Sequence, residues 1–540
     1  MPDRNLPERP SLEQYKKQAK ELLRDAVAGD AAALARAHKY HPLLRGTEVR
    51  RITLSDAQFV LAREHGYESW PKFAKYIETL RSIRAVEELD DPLNAFIEFA
   101  CVDRHGSHNA GTVEYAELIR NRYLQNVPGN IFSDAVLGDA AAVRGHLARD
   151  RALATAKGGP HGWDALTYLC FSRYLRIDPA RSESFVETAR ALLEAGASAN
   201  TGWTEYIDDP PRPLKETAIY GAACIAQNAG MTKLLLEYGA DPNDEETPYH
   251  VVETYDNSVL EILLDSGRFD EKSLATVAAR KCDWHDDRGL QLALDHGANP
   301  NYMTIWKVTP FHHSIRRDNG LVMIEMLLDH GADPNLREGH HGQSGFEMAA
   351  FHGRGDILDS LERRGHEVKL DGLAGVMGAC ARGDLERAKA LMSREKQLQE
   401  QLLAFGGTLL ARFSGADNAA GVRCLLGLGI LPAARWVEGD GYWELAPNST
   451  ALHVAAWRAH HEVVRTLIAA GTPVEAVDGR GRTALQLAVK ACIDSYWKYR
   501  RRPDSVEALL AAGATTEGVE LPTGYDAIDG LLAGAREKSG

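Results

Sequence analysis

Along most of this chain apolar residues recur at the spacing of a helix buried on one side. In "HEVVRTLIAAG", Val463, Val464, Leu467 and Ile468 fall at i, i+1, i+4 and i+5, on one helix face, and Gly471 stands where a left-handed residue would end the helix. Just upstream, "TALHVAAWRA" places Thr450 to cap a first helix through its hydroxyl, and its small pair Ala455-Ala456 lets a neighbouring helix approach closely. The pattern predicts two short helices joined by a sharp return. It then repeats. "EYGADPN" at 237–243, "DHGANPN" at 295–301 and "DHGADPN" at 329–335 each close an amphipathic run, and "EAGASAN" at 194–200, "AAGTPVE" at 469–475 and "AAGATTE" at 511–517 are looser copies. Thr450 and Thr483 are 33 residues apart, and Gly297 and Gly331 are 34 apart. Self-similarity at that period marks an array of stacked units, none of which can bury its apolar face alone.

Upstream of several copies sits a second element: "ETAIYGAA", "ETPYHVV", "VTPFHHS", "STALHVAA" and "RTALQLAV". Together the two elements resemble ankyrin repeats. The resemblance implies an all-α solenoid in which each unit is a helix, a tight turn, an antiparallel helix and a projecting β-turn finger. About eleven units are expected between Phe132 and Val519, with two compressed between Gly239 and Gly297, which lie 58 residues apart. Before them, Ser11 and Gln14 form a capping-box pair and a further helix is expected to start at Pro71. The order "SLEQYKKQAKELL", "SDAQFVLAREHGYESWPKF", "KGGPHGWDALTYL" resembles bacterial ankyrin-repeat proteins with a helical N-terminal cap. The expected organisation is a helical module over 1–84, a helical connecting segment over 85–130, and the array over 131–540 with "YDAIDGLLAGA" as a C-terminal half-repeat cap.

Composition narrows the class. The 540 residues are 44% hydrophobic and 26% charged, the make-up of a folded chain rather than a disordered one. No apolar leader opens the sequence and no run of about 18 apolar residues occurs, so a cytoplasmic location is expected. Seven scattered cysteines without a CxxC pair point to a reducing compartment and small buried thiols. The net charge of −14 is uneven: residues 1–84 carry 16 Lys+Arg against 11 Asp+Glu, and residues 201–270 carry 14 acids against 4 bases. An acidic body repels a phosphate backbone, which argues against nucleic acid; a partner with a basic surface facing 201–270 fits better.

Signs of catalysis are weak. His461-Glu462 opens like HExxH, but Arg465 stands where the second histidine must be. His453 holds the fourth position of the TPLH-like element, where the resemblance implies a hydrogen-bonding role between repeats; His250 and His312 match it. Cys101, His105 and His108 could supply zinc ligands or a Cys–His pair, though a fourth ligand has no obvious source and Cys101 sits in the apolar run "LNAFIEFACV". Phosphate loops and a GxSxG elbow are absent. The expectation is a protein that is not an enzyme and needs no cofactor or metal.

The candidate binding residues lie where the array departs from an economical repeat. Three long connections stand out: 201–216 with Trp203 and Tyr206, 434–449 with Trp436, Tyr442 and Trp443, and 492–504 with Trp497. A second set is the pair of positions after the small pair, which the resemblance places on the concave helix surface: Arg316-Arg317, Phe351-His352 and Trp457-Arg458. Aromatic and arginine side chains dominate interface hot spots. The competing reading is that the rings cover the neighbouring repeat and the helix positions are simply solvated. The function expected is protein–protein recognition by the fingers and inner helices. Alternatives are a peptide or small ligand held between the finger insertions and the N-terminal module, or an enzyme around Cys101 and His105.

Overall fold

The computed structural model describes residues 6, 11–41, 52–67, 69–77, 91–102, 112–208, 211–395, 397–495 and 498–539. The chain divides into two compact units, Met1–Thr247 and Pro248–Gly540. It is mostly helical, 60% helix and 6% strand, so the strands amount to short additions between helices.

In the first unit, helices Leu12–Val27, Ala31–Tyr40 and Leu54–Glu64 close around Ala19, Leu22, Ala33, Ala37, Val60 and Leu61. Ser11 caps the first of them by accepting the Gln14 N–H, and Thr53 and Asp56 cap the third reciprocally. A further helix runs over 70–77, with Pro71 in its first turn. Helix Pro92–Ala100 begins at the Asp91 cap and ends at Cys101. Helix pairs follow: Ile131–Val136 with Ala140–Arg149, then Ala165–Cys170 with Ser182–Ala195. Two antiparallel hairpins project between pairs, Lys157–Gly158 against Trp163–Asp164 and Gly202–Asp208 against Pro211–Thr217.

The second unit repeats the pairing more regularly, with Pro310–Arg316 and Leu321–Asp329, Gly345–Phe351 and Gly355–Arg363, Gly406–Gly415 and Ala419–Gly427, and Ala451–Trp457 and His461–Ala469. First helices pack on first helices of the next pair, and the core lies between them. Several first helices start at a hydroxyl cap: Thr309 accepts the His312 N–H, Ser344 and Glu347 bond reciprocally, and so do Thr483 and Gln486, whereas Gly406–Gly415 starts at Phe405 without a side-chain cap. The return between helices puts Asp318, Gly353, Asp417 and Ala459 in the left-handed region at φ of +53° to +72°. For Ala459, which lacks both glycine's freedom and a polar side chain, this conformation costs energy that neighbouring packing must offset.

The recurring "N" that ends the finger motif has a specific task. The Asn301 side chain donates to the Gly331 carbonyl at 2.8 Å and accepts the Asp333 N–H at 2.8 Å. Asn200 does the same to Gly239 and Asp241. Each asparagine thereby clips one finger to the next, using one amide to satisfy two exposed backbone groups.

Candidate functional site

The residues expected to project from long loops divide sharply. The stretch 201–216 is mostly a seven-pair β-ladder, with Trp203 opposite Glu216 and Tyr206 opposite Pro213. Trp203 is not presented outward as expected. It is 6% exposed, stacked on Trp163 at 5.3 Å between ring centroids and edge-on to Phe171. The hairpin places it against the preceding finger, where burying an indole stabilises more than exposing it. Tyr206, three residues further out, is 67% exposed.

Also in the first unit, Cys101 is fully buried, with its Sγ 3.9 Å from the Tyr168 carbonyl. Burial pushes its thiol pKa up, which disfavours the thiolate a nucleophile or zinc ligand requires. His105 and His108 lie outside the described residues, as does Trp497. Among the described residues no group of three or more His, Cys, Asp or Glu side chains could hold a metal ion, and no helix is long and apolar enough to cross a membrane.

The histidines of 450–467 are each engaged by protein groups. His453 Nδ1 accepts the Thr450 N–H at 3.2 Å, so the proton sits on Nε2, which donates to the Arg482 carbonyl of the next unit at 3.0 Å. His460 lies 2.8 Å from the Gly415 carbonyl, and His461 lies 2.7 Å from the Ser505 hydroxyl. Burial lowers the pKa of all three.

The insertion 434–449 folds back over the inner-helix face of the second unit. Its ladder is short, Arg435–Trp436 against Ser449–Thr450, with one further bridge between Asp440 and Leu445. Asp440 accepts the N–H groups of Tyr442 and Trp443, turning the chain so that both rings point across the face. The Tyr442 hydroxyl donates to the Asp283 carbonyl at 3.4 Å, and the Arg317 guanidinium lies 3.5 Å over its ring. Trp443 is 2% exposed, 6.0 Å from His285 and under the Arg458 guanidinium, and its carbonyl accepts the Trp457 indole N–H at 2.6 Å. Trp443 and Trp457 are therefore internal, against the expectation that they face a partner. Arg317 is likewise held, by Asp283 at 2.6 Å and by the Tyr442 ring. These contacts link positions up to 159 residues apart.

Under this insertion lies a recess of about 840 Å³, lined by Arg316, Phe351, Trp436 and Arg458 from the expected set. Arg412, His352, Leu373, Phe405, Leu409 and Glu438 join them on its walls. Arg458 is paired with Asp318. Arg316 is exposed and Arg412 half-buried, and among the described residues neither side chain makes a hydrogen bond or ion pair. Burial lowers the Arg412 pKa, and Arg316 adds repulsion. His352 is pushed down to about 3, by burial first and by Arg412 second, so its imidazole is neutral. A second recess of about 400 Å³ lies at the helix returns, but Arg354–Asp356, His460–Asp417 and Arg458–Asp318 pair most of its charges.

Arg412 was not among the residues expected to matter, because its repeat, "GGTLLARFSGADN", is too degenerate to set a register by eye. The left-handed return supplies that register. Arg412 stands five residues before Asp417, as Val454 does before Ala459 and His313 before Asp318. It is the inward-facing position that follows the TPLH-type histidine.

Comparison with known proteins places the repeats at two stretches. Residues 449–510 match the model for ankyrin repeats (many copies), and residues 307–338 match the model for a single ankyrin repeat. Among solved structures, the crystal structure of the human ASB11 ankyrin repeat domain is similar at 21% identity, over 44% of this chain and 97% of that one, with a TM-score of 0.21. At that TM-score the likeness carries no weight for how the repeats are arranged. Both matched stretches lie in the second unit, and between them they contribute Val308, Arg316, Asp318, Glu338, Val454 and Arg458 to the recess.

Proposed function

We propose that this chain, in which ankyrin repeats are recognised at 307–338 and 449–510, is a non-catalytic scaffold that holds a protein partner at the recess of its second unit. Ankyrin repeats generally mediate protein–protein interaction, which supports the class of function. The observation that carries the location is the recess itself: about 840 Å³, walled by Phe351, Trp436 and Phe405, with Arg316 and Arg412 on its wall and neither in an ion pair among the described residues. Cavities of roughly 300–1,000 Å³ with apolar walls and a few convergent polar groups are the usual form of a binding site. Because the insertion is pinned by Tyr442 and Trp443, the site is preorganised, and little entropy is lost on docking. On the first unit, the exposed acids Glu237 and Asp241 within the acidic stretch 201–270 suit a basic partner surface.

The test is affinity capture from a lysate of the source organism, with the intact chain and with a Phe351→Ala/Trp436→Ala/Arg316→Ala variant of matching circular dichroism. The expected result is a protein retained by the intact chain and lost by the variant. Identical captures from both, or none from either, would sink the scaffold reading at this site.

A further inference from the structure

We infer that the recess is a carboxylate-recognition site, with Arg412 and Arg316 as its cations, and that its occupant is an acidic side chain flanked by apolar residues in a peptide segment of the partner. The inference deepens the scaffold reading and rests on it.

It starts from the pairing of charges on the walls. The wall carboxylates are engaged elsewhere: Glu338 accepts the N–H groups of His340, His341 and Gln343, Asp440 accepts those of Tyr442 and Trp443, and Asp318 pairs with Arg458. Glu438, on the exposed rim, accepts only a long bond of 3.4 Å from the Thr408 hydroxyl. Among the described residues Arg412 and Arg316 have no such partners. A guanidinium presents a planar fork of donors, and leaving it unpaired in a partly desolvated wall costs stability unless something is bound there. A carboxylate matches that fork with two parallel charge-assisted bonds.

The surrounding field selects the size of the charge. His352 is neutral and adds a hydrogen-bonding group without adding charge. Glu438, Asp318 and Asp440 oppose the arginine charge from nearby without pairing to Arg412. Asp318 is cancelled by Arg458, and Glu338 and Asp440 are engaged by backbone N–H groups, so Arg412 and Arg316 face one weakly engaged carboxylate, Glu438, and the balance suits a single negative charge better than a phosphate dianion. Phe405, 58% exposed at the mouth, and Phe351, Leu373 and Leu409 supply an apolar cradle for the neighbours of the acidic residue.

The experiment uses the full chain and three probes: acetyl-Leu-Glu-Phe-amide, its Gln counterpart, and phenyl phosphate. Binding is followed by titration calorimetry and thermal shift. The Glu peptide is expected to bind at least about tenfold more tightly than the Gln peptide, the margin a charge-assisted bidentate pair confers. Arg412→Leu should raise the melting temperature of the unliganded protein and abolish the Glu preference. Arg316→Gln, at an exposed position where misfolding is not a concern, should weaken that preference. Equal binding of the Glu and Gln peptides, a Glu preference that survives Arg412→Leu, or tight phenyl phosphate binding with no peptide binding would each overturn the inference. Partner capture by the intact chain that persists in Arg412→Leu would overturn it while leaving the scaffold reading standing. No capture by the intact chain would instead remove the scaffold reading.

Discussion

Two long finger insertions, one in each unit, carry similar aromatic content and end in opposite roles. The first, Gly202–Thr217, satisfies its backbone along a seven-pair ladder, so its strands hold themselves together and leave Tyr206 in solvent. The second, 434–449, pairs only two residues at its base and one bridge near its tip. Its remaining polar groups are met by the Asp440 side chain and by groups across the inner-helix face, including the Asp283 carbonyl and the Trp457 indole. A finger that satisfies its own backbone needs only one ring, Trp203, on its neighbour and can leave its outer half in solvent. One that cannot must lie down on something, and here it roofs a recess.

Trp443 holds the second finger down most strongly. Its replacement by alanine removes a buried ring and the support of Trp457 and Arg458, and should cost about 3–5 kcal/mol, read as a lowered denaturation midpoint with the inner face opened. If the loss is under about 1 kcal/mol, the insertion is not held by that ring.

Acid should separate the two units next. His285, pushed down to about 4 by burial, and His352, at about 3, lie in the second unit with the similarly lowered His312, His313, His453 and His460. Their folded pKa values lie below the ordinary value near 6.5, so between about pH 6.5 and 4 the unfolded chain binds more protons. Their stabilisation is complete above about 6.5 and is lost as pH falls, at up to about 1.4 kcal/mol per pH unit per proton. Hydrogen exchange at stepped pH should show residues 248–540 opening before 112–247. Simultaneous opening would count against this.

A smaller effect is expected at Tyr442. Tyr442→Ala loses the Arg317 stacking and a long hydrogen bond, worth about 1–2 kcal/mol, and should loosen the insertion without unfolding the unit. Protease cutting within 437–442 is the readout, and no increase in cutting would show that the Tyr442 contact does not hold the insertion. The smallest stability change belongs to Tyr206→Ala, within about 0.5 kcal/mol by thermal melting, since that ring packs on little. A larger change would mean that the hairpin does not stand apart.

The repeating architecture was legible because its signals are local. Hydroxyl caps such as Thr309, Ser344, Thr450 and Thr483, the glycines that end second helices, and the helical spacing of apolar residues each act within a few residues of chain. The register of the degenerate repeat around Arg412 was not legible, because it rests on the left-handed backbone of Asp417. The candidate binding residues were legible only in part. Arg316, Phe351, Trp436 and Arg458 do line one recess, while Trp203, Trp443 and Trp457 are buried and Arg317 is tied to Asp283.

Short-range signals in the chain thus set the unit: a capped helix, a left-handed return, an antiparallel helix, and a finger whose asparagine clips to the next, all held by hydrogen bonds of short reach. Which aromatic faces water, and where an unpaired charge is kept, is settled by packing between distant segments. Those outcomes depend on what the fold brings opposite each side chain, and Tyr442 meets Asp283 across 159 residues of chain. An indole has the same propensity in either finger; its burial is settled by the surface that arrives to cover it.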